Sequence, residues 1–284
     1  MTVATQTPRD VETSLTYWKH VDEPLVEIDF TQPEAEVRYD ALDKLDEAHK
    51  VTVHDARGSE DKFTLDRNGF TYVKDPIAGL EACTTEEEIQ KLVVSATEEL
   101  VKKVTGAYKT KVFTTRIRNV AQDMGKRADN RAPALSVHSD FTPIGGHHLF
   151  EDQIPDAAER ETLAAGRVLL INVWRPLKTI TRDPLCAADW ATIDTARDLV
   201  RERFVFPGSK WNELGKWKHS DAHRWYYLSH QAPDEPLVFA QYDSARVQPD
   251  GGQLTVPHSA FQDPEYLGGP ARQSIEIKMM AFVS

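Results

Sequence analysis

Arg167-Val168-Leu169-Leu170-Ile171-Asn172-Val173-Trp174 decides the fold class. An almost unbroken apolar run of this kind reads as a strand buried on both faces. Immediately before it, Pro155 to Ala165 reads as a short helix stopped by Gly166. Further upstream, Lys111 to Arg118 alternates in the β manner, and Leu135-Ser136-Val137-His138 begins another strand. Downstream, Arg224 to Leu228, Leu237 to Ala240 and Ser274 to Met279 are strand candidates, while Trp190 to Phe206 is ambiguous. Near the N-terminus, Val51 to His54 is β-prone. Phe63 to Asp66, a turn at Arg67-Asn68-Gly69 and Phe70 to Val73 read as strand, tight hairpin and strand.

One helix stands out. Thr84 or Thr85 opens it, Glu86, Glu87 and Glu88 fill its first turn, and Ile89, Leu92, Val93, Ala96, Leu100 and Val104 follow at helical spacing to a stop at Gly106. Many short strands with helical decoration predict a mainly β fold with a double-stranded β-helix (jelly roll) core. No linker divides the chain, so residues 1–284 are expected to form a single domain, with residues 1–50 as a loosely patterned extension.

Composition excludes several function classes. A net charge of -11 argues against nucleic acid and anionic membrane surfaces, both of which need basic surface. Two cysteines, Cys83 and Cys186, are too few for a disulfide-stapled secreted domain. No apolar run is long enough to span a bilayer, and the first residues lack a basic-then-apolar signal. A cytoplasmic enzyme or binding protein for small molecules remains, with its oligomeric state open.

The chemistry-bearing residues are His138-Ser139-Asp140, His258 and Arg272-Gln273-Ser274. Residues i and i+2 of a strand point to one face, so His138 and Asp140 can chelate one ion at a strand end. Thr142-Pro143-Ile144-Gly145-Gly146 follows as a turn. Among the other histidines, His258 is the best-placed third ligand. It follows a Gly251-Gly252 turn and precedes a turn-rich segment that returns as Arg272-x-Ser274. Imidazole and carboxylate ligands suit Fe(II), Mn(II) and Zn(II) about equally. A bidentate cation just beyond the second histidine is what a dicarboxylate co-substrate requires.

This ordered set resembles the Fe(II)/2-oxoglutarate-dependent dioxygenases. Ile171 to Leu177, Asp183-Pro184-Leu185, Gln241-Tyr242-Asp243-Ser244 and Pro257 to Phe261 are similar, more narrowly, to the fungal hydroxylase/desaturase family, which includes gibberellin desaturase-like and cephamycin methoxylation-related proteins. Asp55 to Gly58 and Leu65 to Phe70 fit the same family, so the resemblance runs from about residue 50 to residue 284. It implies that His138, Asp140 and His258 bind iron, with 2-oxoglutarate and dioxygen on its open positions. Arg272 would then pair with the distal carboxylate of 2-oxoglutarate, assisted by Ser274. Hydrogen-atom abstraction from a small specialised metabolite would lead to hydroxylation, desaturation or cyclisation.

Six further residues are substrate candidates. Arg116 and Arg118 share a strand face near the metal strand; Asn172 and Arg175 lie on the decisive apolar strand; Gln241 and Tyr242 lie on another inner strand. Inward arginines would favour a carboxylate-bearing substrate. Two rival readings stand beside the oxygenase: a zinc-dependent hydrolase on the same ligands, which would leave Arg272-x-Ser274 unexplained, and a non-catalytic jelly-roll binding or accessory protein.

Overall fold

The computed structural model describes residues 7–20, 25–119, 131–246 and 254–284. Most of the loop expected from Gln122 to Pro133, and the Gly251-Gly252 turn, lie outside the described residues. In chain order the elements begin with β1 (Val11–Trp18), β2 (Leu25–Asp29), α1 (Ala35–Ala41), β3 (Asp46–Asp55), α2 (Leu65–Asn68), β4 (Phe70–Tyr72) and α3 (Glu86–Thr105). They continue with β5 (Lys109–Arg118), β6 (His138–Ser139), α4 (Pro143–Gln153), α5 (Ala157–Ala164), β7 (Arg167–Pro176), β8 (Leu185–Ala188), α6 (Thr195–Asp198) and β9 (Leu199–Phe206). Last come β10 (Lys210–Trp217), β11 (Trp225–Tyr227), β12 (Leu237–Asp243), β13 (His258–Ala260) and β14 (Ser274–Val283).

The fold is mainly β, in two sheets with helices around them. One sheet runs β1-β3-β11-β8-β13-β6-β10-β9-β2 and the other β4-β12-β7-β14-β5. β7 lies between β12 and β14, antiparallel to both. Both its faces are covered, which is why its sequence lacks the alternation of a half-exposed strand. The larger sheet curls. Thr16 of β1 bridges Ser136, just before β6, and Trp18 bridges Lys218, just after β10.

α3 is as its sequence predicts. Thr85 accepts from the Glu88 backbone, Glu88 reciprocates in a capping box, and Gly106 ends the helix in the left-handed region at φ 74°. It packs on β5 and β14, and Val93, Leu100 and Val101 join Ile275, Ile277 and Met279 in the main core. Because side chains alternate across a strand, the other face of β14, carrying Ser274, Glu276 and Lys278, turns toward the larger sheet.

Four expectations are corrected. Residues 63–66 are not a hairpin arm, because Thr64 caps the short helix α2 by accepting from Arg67 N–H. The Thr142 to Gly146 segment is no turn but the start of α4, with Thr142 as N-cap and Pro143 in the first turn. Its two glycines are there for contact. A Cβ at Gly145 would lie 2.4 Å from the Glu213 carbonyl oxygen, and one at Gly146 3.0 Å from the Tyr242 ring. The strand expected from Leu135 is reduced to His138–Ser139. Finally, the first fifty residues are more patterned than they read. β1 pairs with β3 and buries Val11, Leu15, Tyr17 and Trp18.

Candidate metal and co-substrate site

The site lies between the two sheets. β13 pairs with β6 so that His258 stands opposite His138, and their ring centroids are 4.3 Å apart. Asp140 follows β6 on the His138 face. One ligand atom from each of His138, Asp140 and His258 falls within 4.8 Å of the others. Among the described residues this is the one such grouping of His, Cys, Asp and Glu.

Both histidines are oriented by the same local device. His138 Nδ1 lies 2.8 Å from the Ser136 carbonyl, and His258 Nδ1 lies 3.2 Å from the Val256 carbonyl. A carbonyl only accepts, so Nδ1 carries the proton and Nε2 offers its lone pair. Gln241 ties the two ligand strands together. Its Oε1 accepts from Asp140 N–H at 2.7 Å while its Nε2 donates to the Val256 carbonyl at 2.9 Å.

The electrostatics suit a cation ligated by neutral imidazoles. Burial, then the neighbouring His258, pushes the His138 imidazole well below its ordinary value. Burial likewise pushes His258 down, against the pull of Asp140. Burial works to raise the Asp140 carboxyl, but Lys278, His258 and His138 outweigh it and hold the group far below the carboxylate range. A histidine with a depressed folded value binds its proton first in the unfolded chain. Stability of the metal-free protein is therefore full above about pH 6.5 and falls as the pH drops below that value. Thermal midpoints of metal-free protein between about pH 8 and pH 5 should decline on the acid side, and the decline should shrink in His138→Gln.

Beside the triad is a small cavity, lined by His138 and His258 and also by Arg118, Trp174, Phe239, Arg272 and Glu276. Arg272 is 5% exposed, which rules out a surface role. Its guanidinium carbon stands 5.4 Å from the Trp174 ring centroid, and its Nη1 donates to the Asp183 carbonyl at 2.6 Å. Asp183 takes a left-handed φ of 49°, a conformation that costs energy in a non-glycine residue and here directs its carbonyl at Arg272. Burial, then Arg118, lowers Arg272 to about 9. Arg272 Nε and Ser274 Oγ are both buried with no hydrogen-bond partner. Buried donors normally have partners, so two orphans here fit a carboxylate ligand.

The substrate candidates divide. Arg118 lines the cavity, donates to the Ala132 carbonyl and stands 3.8 Å from Glu276. Asn172 Nδ2 donates to Asp140 Oδ2, so it supports a ligand. Arg116 is half-buried, opposite Glu276 in the sheet, and is not among the cavity residues. Arg175 is corrected. Its guanidinium binds Asp75 and the Pro233 carbonyl on the opposite face of β7, away from the cavity. Tyr242 is corrected too, for it packs in a second core with Phe150, Leu163 and Phe282. Gln241 supports the ligand strands, as described above.

Sequence reasoning missed Lys278 as a site residue. Its Nζ is 2.6 Å from Asp140 Oδ1 and 3.2 Å from Glu276 Oε1. Ser274-x-Glu276-x-Lys278 alternates as a solvent-facing strand would, yet every one of these residues is buried. The one available signal was that this polar face continues Arg272-x-Ser274.

A family model described as "YDMC: Oxidoreductase/YMDC permease-like domain" matches residues 15–282. No helix among the described residues is long and apolar enough to cross a membrane. Hydroxylase/desaturase efuI of Hormonema carpetanum is 31% identical over 99% of this chain and 98% of its own. Fe(II)/2-oxoglutarate-dependent dioxygenase nvfI of Aspergillus novofumigatus is 32% identical, with 82% of this chain and 83% of the relative covered. The solved structure of the iron and alpha-ketoglutarate-dependent endoperoxidase NvfI superposes with a TM-score of 0.77 at 26% identity, covering 97% of this chain and 98% of that one.

Proposed function

The chain belongs to the Fe(II)/2-oxoglutarate-dependent dioxygenases, and from that premise we propose that His138, Asp140 and His258 hold its iron and that Arg272 and Ser274 hold the distal carboxylate of 2-oxoglutarate. The protein is an oxidoreductase. It uses Fe(II), 2-oxoglutarate and dioxygen to hydroxylate, desaturate or cyclise a small specialised metabolite by hydrogen-atom abstraction. The zinc-hydrolase and non-catalytic readings draw no support from these relatives.

One observation carries the assignment: Arg272, whose buried Nε has no hydrogen-bond partner, lines the cavity that the two histidines of the triad also line, and Ser274, with its own orphaned Oγ, follows two residues on. Iron and 2-oxoglutarate, when bound, supply with dioxygen the oxidant for C–H cleavage, and the co-substrate leaves as succinate and carbon dioxide. The chain's own part is ligation, orientation and exclusion of water. His138 and His258 present Nε2 because backbone carbonyls hold Nδ1–H. Arg272, stacked on Trp174, offers a planar donor fork that matches a carboxylate. Trp174 and Phe239 give the cavity apolar walls.

Charge supports a finer reading of the substrate. Arg118 lines the cavity beside Arg272, and this cationic wall favours a substrate bearing a carboxylate. The two-sheet β architecture, with ligands on adjacent strands, supports a double-stranded β-helix (jelly roll) core and one domain over residues 1–284. A net charge of -11 supports a protein without nucleic-acid or anionic-membrane partners, and two free cysteines support a reducing, cytoplasmic setting.

The deciding experiment is co-substrate turnover. Protein reconstituted anaerobically with Fe(II) should, on exposure to air, convert 2-oxoglutarate to succinate, with or without coupling to a substrate. Asp140→Ala should abolish the conversion. Iron-loaded protein that forms no succinate with any carboxylate-bearing candidate would overturn the assignment.

A further inference from the structure

The described site contains one more carboxylate than the triad needs. Glu276 lines the cavity and is 7% exposed. Its Oε1 is 3.4 Å from Asn172 Nδ2, the same nitrogen that donates to Asp140 Oδ2. A buried carboxylate beside a metal site can compete as a ligand, because hard and borderline cations take carboxylate oxygen readily. A second protein carboxylate on the metal would occupy a position that the co-substrate or dioxygen needs.

Lys278 stands between the two acids. It is 7% exposed, and its Nζ reaches Asp140 Oδ1 at 2.6 Å and Glu276 Oε1 at 3.2 Å. The Asp140 oxygen it leaves is Oδ2, the one 3.8 Å from His258 Nε2. Asp140 is thereby held with one oxygen toward the histidines and the other on the lysine. Glu276 is restrained by Lys278 on one oxygen and approached by Arg118 Nη2 at 3.8 Å on the other. We propose that Lys278 is a positioning residue that keeps Asp140 monodentate and Glu276 off the metal, so that the open coordination positions stay open. The proposal rests on the assignment of His138, Asp140 and His258 as metal ligands.

The consequence runs against simple expectation. Removing a lysine from a site usually weakens it. Here Lys278→Met takes a positive charge away from a cation site and frees carboxylate oxygens to join it. Mn(II) should therefore bind Lys278→Met at least as tightly as the parent. Water-proton relaxation of the Mn(II) protein should report about three exchangeable waters in the parent, as expected for three protein ligands on a six-coordinate ion, and one or two in the variant. 2-Oxoglutarate affinity for the Mn(II) protein should fall about tenfold or more in the variant, in line with losses at outer-shell partners. Glu276→Gln added to Lys278→Met should restore part of both, and Lys278→Arg should keep the parental water count.

Unchanged waters together with 2-oxoglutarate affinity within about twofold in Lys278→Met would overturn the proposal. So would weaker Mn(II) binding with the water count intact, which is what a merely structural lysine predicts. If Lys278→Met does not fold, Glu276→Gln alone serves. It removes the acid that Lys278 restrains, so a loss of waters or of 2-oxoglutarate affinity there would overturn the proposal. Failure of the underlying assignment has its own signature, Mn(II) binding that survives His138→Ala.

Discussion

His138→Ala is expected to weaken Fe(II) or Mn(II) binding at least about a hundredfold, since loss of outer-shell partners alone costs ten- to a hundredfold. Succinate formation should fall with it, by about a thousandfold at working metal concentrations. The fold should survive. His138 is half-buried on a two-residue strand, so water can enter the space its ring leaves. Equilibrium dialysis against Mn(II), with circular dichroism as a control, separates loss of the ion from loss of structure. Metal affinity within a few-fold of the parent would remove His138 from the ligand set.

Arg272→Met has the second large effect, and it falls on a different ligand. Truncating one partner of a buried, hydrogen-bonded charge pair costs about 3–4 kcal/mol, which is roughly a hundred- to a thousandfold in 2-oxoglutarate affinity. Mn(II) binding should change little, because Arg272 hydrogen-bonds Asp183 rather than any triad residue. Stability provides an internal check. Burial already lowers the Arg272 guanidinium to about 9, so its charge is costly until a carboxylate arrives. Without co-substrate, the methionine variant should melt no lower than the parent; with 2-oxoglutarate and Mn(II), only the parent should gain a large upward shift. Equal shifts in both proteins would place the distal carboxylate elsewhere.

Much of the site was legible because its spacing is local. His138-x-Asp140 needs only the two-residue repeat of a strand to share a face, and Arg272-x-Ser274 needs the same. The β7 run was legible because a strand covered on both sides excludes polar residues from both. α4 was hidden by its paired glycines, which read as a turn when seen alone. They are needed because Glu213 and Tyr242 press against that helix, a fact that belongs to β10 and β12. Arg175 and Lys278 show the same limit from opposite sides. Both are charged residues on apolar strands. One turns away from the cavity to Asp75, and the other turns in to Asp140.

By itself the chain determined its β character, its acidic balance, and the residue types that can ligate a metal and a dicarboxylate. The tertiary structure alone decided which charged side chains meet there. Alternation along a strand divides its residues into two faces without saying which face is covered. That choice is made by what packs against each side. α3 covers one face of β14, which leaves Glu276 and Lys278 to the interior beside Asp140.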